Sequence, residues 1–238
     1  MARTHPQDAA KHQAMLQRRL QPRDNPFPVQ RTASLDDLVF LPANLSRLVI
    51  DPYREACRID VDLGCGLNLA QPFLVSGLDE APEEIRRATW QSLAESGAGY
   101  LGALAPEPGV HWLQVVAQEG ACDPNAAGCI YPWREGLTAA DCAPIKNKLS
   151  GFSVSDPCHI DAAVQCALDS GHQLMILDGT GGNGSLAAEI STPPRFDLLS
   201  LTVGALRKRK KEEALLLVYG GGVRSGTDAA RLIALGAS

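Results

Sequence analysis

Apolar residues in this chain follow two rhythms. At 174–177 (LMIL) and 215–219 (LLLVY) they form short unbroken runs, the length of a strand buried on both faces. Elsewhere they recur at helical spacing: Ile160, Ala163, Val164, Ala167 and Leu168 share one face, and Gly171 closes that helix. A second helix signal follows Ser225 or Thr227, either of which can cap a helix through Ala229, Ala230, Leu232 and Ile233. Residues 199–206 begin another, which ends in the basic run 207–211, where cations suit the helix dipole. The strand at 174–177, this helix and the strand at 215–219 make one βαβ unit, which requires parallel strands. Nearer the N-terminus, 71–77 and 100–104 read as strands. Between them Pro82, Glu83 and Glu84 start a helix with a stripe of Ile85, Ala88, Thr89, Leu93 and Ala94, ended by Gly97.

The first thirty-odd residues lack either rhythm. Residues 1–33 are polar, carry Pro6, Pro22, Pro26 and Pro28, and read as an arm with one short basic helix at 11–20. That arm is either a loose tail or a segment that packs on a partner subunit. Residues 34–64 are irregular, broken by Pro42 and Pro52.

Composition narrows the class. A chain of 238 residues with 45% hydrophobic and 21% charged residues can bury a sizeable core. A net charge of −5 and 5% aromatics give no pull toward nucleic acid or an anionic membrane. No apolar run approaches the roughly 20 residues that span a bilayer, and the N-terminus has no apolar signal region, so a cytoplasmic location is expected. The seven cysteines are odd in number and include no CxxC pair. They read as reduced core or loop thiols, with a metal or iron–sulfur site as the sharper alternative.

The chemistry concentrates after the last strand. Gly220, Gly221 and Gly222 allow a sharp turn close to a ligand; Val223 and Arg224 follow, then a helix N-terminus. This is either an ordinary strand–turn–helix corner or an anion site, where backbone N–H groups, the helix dipole and a guanidinium meet a phosphate. A second glycine loop, DGTGGNGS at 178–185, lies at the C-terminal end of the preceding strand, where parallel α/β folds bind ligands.

GGGVRSGTDAARLIALGA resembles the phosphate-binding seventh strand, loop and helix of FMN-dependent (β/α)8 barrels. Glutamate synthase flavin domains, 2-hydroxy-acid oxidases and type 2 isopentenyl diphosphate isomerases share that pattern. LDDLVFLPANL and DPYRE, within 34–64, are similar to the lead-in of stand-alone, archaeal-type glutamate synthase flavin domains. The resemblance implies that Gly221, Gly222, Val223 and Arg224 hold an FMN phosphate, with Gly181 and Gly182 beside them. It implies that Gln118 faces the flavin ring. SDPCHID at 155–161 nearly fits a Ser-Pro-x-x-His-x-Asp run of the family, which makes His159 either a proton donor or a helix cap.

Departures from the family pattern are as informative. Val115 or Val116 stands where the family has a lysine beside the flavin. The stretch from Asp161 to Leu174 has room for one helix, where the family has a further strand with a Val-Lys-Leu motif. No cysteine matches the iron–sulfur cluster of glutamate synthases, so no such cluster and no other metal is expected. The expected fold is therefore α/β, an incomplete TIM-type (β/α)8 barrel over 34–238 with an irregular N-terminal extension, short of an internal βα unit and the last strand. Open sheet edges then call for a homo- or hetero-oligomer. Function divides between a degenerate structural or regulatory subunit that retains a site for a phosphate-bearing small molecule, and an FMN-dependent enzyme forming glutamate from 2-oxoglutarate.

Overall fold

The computed structural model describes residues 34–40, 58–116, 121–137, 142–180 and 194–238. Seven strands form one sheet in chain order: β3 (Leu74–Val75), β4 (Gly99–Gly102), β5 (His111–Val115), β6 (Gly128–Pro132), β7 (Leu149–Val154), β8 (Leu174–Asp178) and β9 (Leu216–Gly220). Every neighbouring pair is parallel. Side chains from all seven strands line one concave space, so the sheet curls round on itself. Ahead of it, β1 (Val61–Asp62) and β2 (Asn68–Leu69) form a small antiparallel hairpin.

The two-residue period of a strand explains the layering. Along β8, Leu174 and Ile176 turn to the concave face, whereas Met175 and Leu177 turn to the helices. The concave face packs Leu113, Ile130, Leu149 and Leu174 against Leu63, Leu67 and Leu69 of the hairpin, which therefore floors the curl. The convex face packs Phe152, Met175 and Leu217 against α2 (Ile160–Ser170) and α3 (Asp197–Arg209), which follow β7 and β8. A separate cluster joins Tyr100 and Trp112 to Trp90 and Leu93 of α1 (Glu83–Ser96). The last helix, α4 (Gly226–Leu235), adds Leu232 to the convex core.

The expected βαβ unit is present as β8–α3–β9, with Leu174 opposite Leu216. Two helix ends fall at the predicted residues: Gly97 and Gly171 adopt positive φ at the C-caps of α1 and α2, and Gly236 does the same for α4. The face of α1 differs from the expectation. Ile85, Ala88 and Ala94 are exposed, and the helix instead buries Trp90 and Leu93. One large ring against Tyr100, at 5.9 Å between centroids, outweighs several small apolar side chains.

The helix α2 alone fills the stretch before Leu174, as its length requires, but the strands flanking it, β7 and β8, pair directly. The shortening shows in the connections. Among the described residues no helix joins β4 to β5, β5 to β6 or β6 to β7. Nor do they contain an eighth strand, although Ser238 N–H donates to the Leu217 carbonyl on the outer edge of β9 at 2.8 Å.

Between β5 and β6, where the described residues hold no helix, a disulfide joins Cys122 to Cys129. This corrects the expectation of reduced thiols at both positions. The loop between them is also pinned by Asp123 N–H donating to Gln114 Oε1 (2.6 Å) and by Lys148 Nζ donating to the Pro124 carbonyl (3.0 Å). Cys65, Cys142, Cys158 and Cys166 are free thiols. No described helix is long and apolar enough to cross a membrane.

Two consequences for stability follow. A Cβ on Gly151 of β7 would land on the Leu174 carbonyl of β8, a backbone atom that cannot yield without breaking the ladder. Gly151→Ala is expected to cost about 1–3 kcal/mol in chemical denaturation. His172 is 3% exposed, and its Nδ1 lies 2.9 Å from Ser150 Oγ. Burial pushes its pKa below the ordinary 6.5, against the opposing pull of hydrogen bonding with the Cys142 and Ser150 main chains. The folded state thus binds this proton less readily than the unfolded chain. The resulting stabilisation is complete above about pH 6.5 and is lost as pH falls toward the lower folded value. Calorimetric melting from pH 8 to pH 5 should show that loss, and His172→Gln should flatten it.

Candidate functional site

The concave space opens at the C-terminal ends of the strands as a cavity of about 620 Å³. Its deep wall is apolar, from Leu69, Leu101, Ile176 and Val218. Its mouth carries Asp79, Glu80, Asp178 and Thr180 on one set of loops, and Gly220, Gly221 and Val223 on another.

Each loop at the mouth is held by a carboxylate. After β3, Gly77 turns the chain with φ 78°, and Asp79 then reaches the next loop. Its Oδ1 accepts from Tyr100 Oη at 2.7 Å and from Leu104 N–H at 3.2 Å, and its Oδ2 accepts from Ala103 N–H at 2.9 Å. A side chain on Gly102 would collide with the Tyr100 hydroxyl, so the glycine is what permits this clamp. Burial, and next the Asp79 hydrogen bond, push the Tyr100 phenol up, keeping it a neutral donor. After β8, Asp178 Oδ1 accepts from both Thr180 N–H (2.9 Å) and Thr180 Oγ1 (2.5 Å), a local Asx-type turn. Gly179 N–H donates to the Gly220 carbonyl at 2.8 Å, which ties the mouths of β8 and β9 together.

The glycine corner has the backbone the sequence implied. Gly221 and Gly222 sit at φ 109° and 70°, in the left-handed region that disfavours side chains. A Cβ on Gly222 would come within 2.7 Å of Pro194 Cγ. Ser225, rather than Thr227, caps α4, its Oγ accepting from Asp228 N–H at 3.3 Å. Asp228 is nearly buried and gathers the corner: its Oδ2 accepts from Arg224 N–H at 3.2 Å, and its Oδ1 accepts from Arg231 Nη1 at 3.2 Å. Burial pushes the Asp228 carboxyl up, but the Arg224 N–H, the Ser225 hydroxyl and the two guanidiniums outweigh it, and its pKa lies below the ordinary value.

The guanidinium of Arg224 does not line the cavity. Its Nη2 is 2.8 Å from Asp36 Oδ1, on the short 3-10 turn Leu35–Asp37, and its Nε is 3.6 Å from Asp228 Oδ2. Leu35, 1% exposed in the convex core, anchors that turn. The side chain of Arg224 is 63% exposed. The structure thus brings Gly221 and Val223 to the cavity and turns Arg224 toward the lead-in.

His159 lies at the N-cap of α2, after the 3-10 turn Pro157–His159, with its Nε2 3.5 Å from Glu135 Oε1. It is not among the residues lining the cavity. Gln118, Gly181 and Gly182 fall outside the described residues. No group of His, Cys, Asp and Glu suited to a metal ion occurs among the described residues. Asp79, which organises two loops, carries no periodic signal in the sequence. Its cue is only its place two residues beyond a glycine turn at a strand end.

No protein-family model matches the chain, and no curated protein does. Solved structures do. A flavocytochrome b2 mutant with benzoylformate aligns at TM-score 0.57 and 16% identity, over 80% of this chain and 61% of that one. A double mutant of flavocytochrome b2 with sulfite bound aligns at 0.54 and 16%, over 75% and 58%. The recombinant flavin-binding domain of baker's yeast flavocytochrome b2 aligns at 0.51 and 15%, also over 75% and 58%. The fold is an incomplete TIM-type barrel. The chain spans about three fifths of the length of these structures, and at such identities the likeness is one of fold. In a barrel of this type the C-terminal end of the strands is where ligand chemistry sits, and the cavity lies there.

The barrel's corner can be probed through its carboxylates. Asp228→Asn should lower the melting temperature more than Asp36→Asn, because Asp228 is nearly buried among donors and Asp36 pairs in solvent. Thermal denaturation of the two variants side by side checks the order.

Proposed function

We propose that this barrel is a flavin-barrel-type protein of the glutamate synthase kind that keeps a ligand cavity and serves as a structural or regulatory subunit. The observation that carries this is the state of Arg224, the one cation of the glycine corner's own loop, which is engaged by Asp36 and Asp228. No Lys, Arg or His is found among the described residues that line the cavity. A flavin-sized molecule fits a space of about 620 Å³. A dianionic phosphate and an electron-rich reduced ring do not fit walls whose only charged side chains among the described residues are Asp79, Glu80 and Asp178. The valines at 115 and 116, where the resemblance expects a lysine, point the same way. A subunit role implies a partner. β3 has a sheet partner on one side only among the described residues, and we propose that a homo- or hetero-oligomeric contact covers that edge.

A second reading is an FMN-dependent oxidoreductase that forms glutamate from 2-oxoglutarate and ammonia. What favours it is the position of Gly220, Gly221 and Val223 at the mouth of a cavity in a fold shared with flavocytochrome b2 structures. The N-terminus of α4 and the glycine corner would then hold the phosphate, and FMN would supply hydride-transfer chemistry in the cavity.

Colour separates the two. The purified chain, incubated with FMN and desalted, is expected to stay colourless, with no retained flavin absorbance. Retained flavin whose reduced form is oxidised by 2-oxoglutarate with ammonia would establish the second reading instead.

A further inference from the structure

The polarity of the cavity runs in one direction, and this specifies a ligand. Taking the cavity as a retained ligand site, as above, we propose that it binds an organic amine, with the apolar body inside the barrel and the ammonium at the mouth. The floor is made of Leu63 and Leu69, 3% and 2% exposed. Above them stand Leu101, Ile176 and Val218. Every charged side chain among the described lining residues is a carboxylate, and all three lie at or beyond strand C-termini.

An anion would find few partners here. The Ala103 and Leu104 N–H groups, which could hold one, already hold Asp79. The N–H and hydroxyl of Thr180 already hold Asp178 Oδ1. A cation finds the reverse. Asp178 Oδ2 and both carboxylate oxygens of Glu80 accept no hydrogen bond from the described residues. Acceptor oxygens left open at the rim of an apolar space suit the N–H donors of a primary ammonium. From Asp178 back to Ile176 is two strand steps, ~7 Å, which one ring and a short alkyl linker span. The low dielectric of the wall strengthens the attraction for a cation and excludes a carboxylate of the same shape.

Isothermal titration of the full chain with phenethylamine and with phenylacetate, nearly isosteric and opposite in charge, tests this. The amine is expected to bind at least tenfold more tightly, and the margin should shrink as salt is raised. Asp178→Asn should remove most of the preference. Since Asp178 also holds the Thr180 turn, Glu80→Gln, on an exposed side chain, provides the second variant and should reduce the preference at least threefold. Equal or tighter binding of phenylacetate, no amine binding at millimolar concentration, or a preference unchanged in folded forms of both variants overturns the proposal. The failure of the earlier reading is separately visible: retained FMN would overturn both, whereas a colourless chain that ignores the amine overturns the ligand class alone.

Discussion

A parallel strand in the interior of a sheet must hide both of its faces, and the architecture here follows from how that demand is met. Met175, Leu177 and Leu217 are covered from outside by α2 and α3. Leu174 and Ile176, one residue out of phase, can only be covered from within. Curling the sheet lets the strands cover one another's inner side chains, and the hairpin of Leu63, Leu67 and Leu69 closes the bottom. Among the described residues no equivalent plug stands at the other end. The cavity is what remains of the interior once one end has been stoppered.

The charges around that opening are largely spoken for. Asp79 satisfies two backbone N–H groups and a phenol, Asp178 holds Thr180, and Asp228 gathers Arg224 and Arg231. Loops held by internal carboxylates need no external anion to order them. The N–H groups of Ala103 after β4 and of Arg224 ahead of α4 are satisfied from within the chain in this way.

Local chemistry made the C-terminal half of the fold legible. Unbroken runs at 174–177 and 215–219, a glycine at the ends of α2 and α4 and a serine cap state their structure within a few residues. The strands β6 and β7 were not legible in the same way. GCIYP and LSGFSV mix glycine, serine and proline with apolar residues, because Gly128 and Gly151 sit where neighbouring strands approach too closely for a side chain. The orientation of Arg224 was equally hidden. Its partner, Asp36, is 188 residues away in sequence, and only the three-dimensional placement of the lead-in turn reveals the pair. The turn at the glycine corner, by contrast, was readable from the three glycines, two of which, Gly221 and Gly222, adopt positive φ.

The Cys122–Cys129 bridge takes on weight from where it lies. Between β5 and β6 the described chain has no crossover helix, and eight residues closed by a covalent link lie at that crossing instead. The sector is held in part by a bond that glutathione or thioredoxin can open, whereas the α3 side relies on apolar packing and on the ion pair of Arg209 with Asp161 of α2. Endurance of this wall of the barrel is therefore tied to the thiol balance of whichever compartment the molecule occupies.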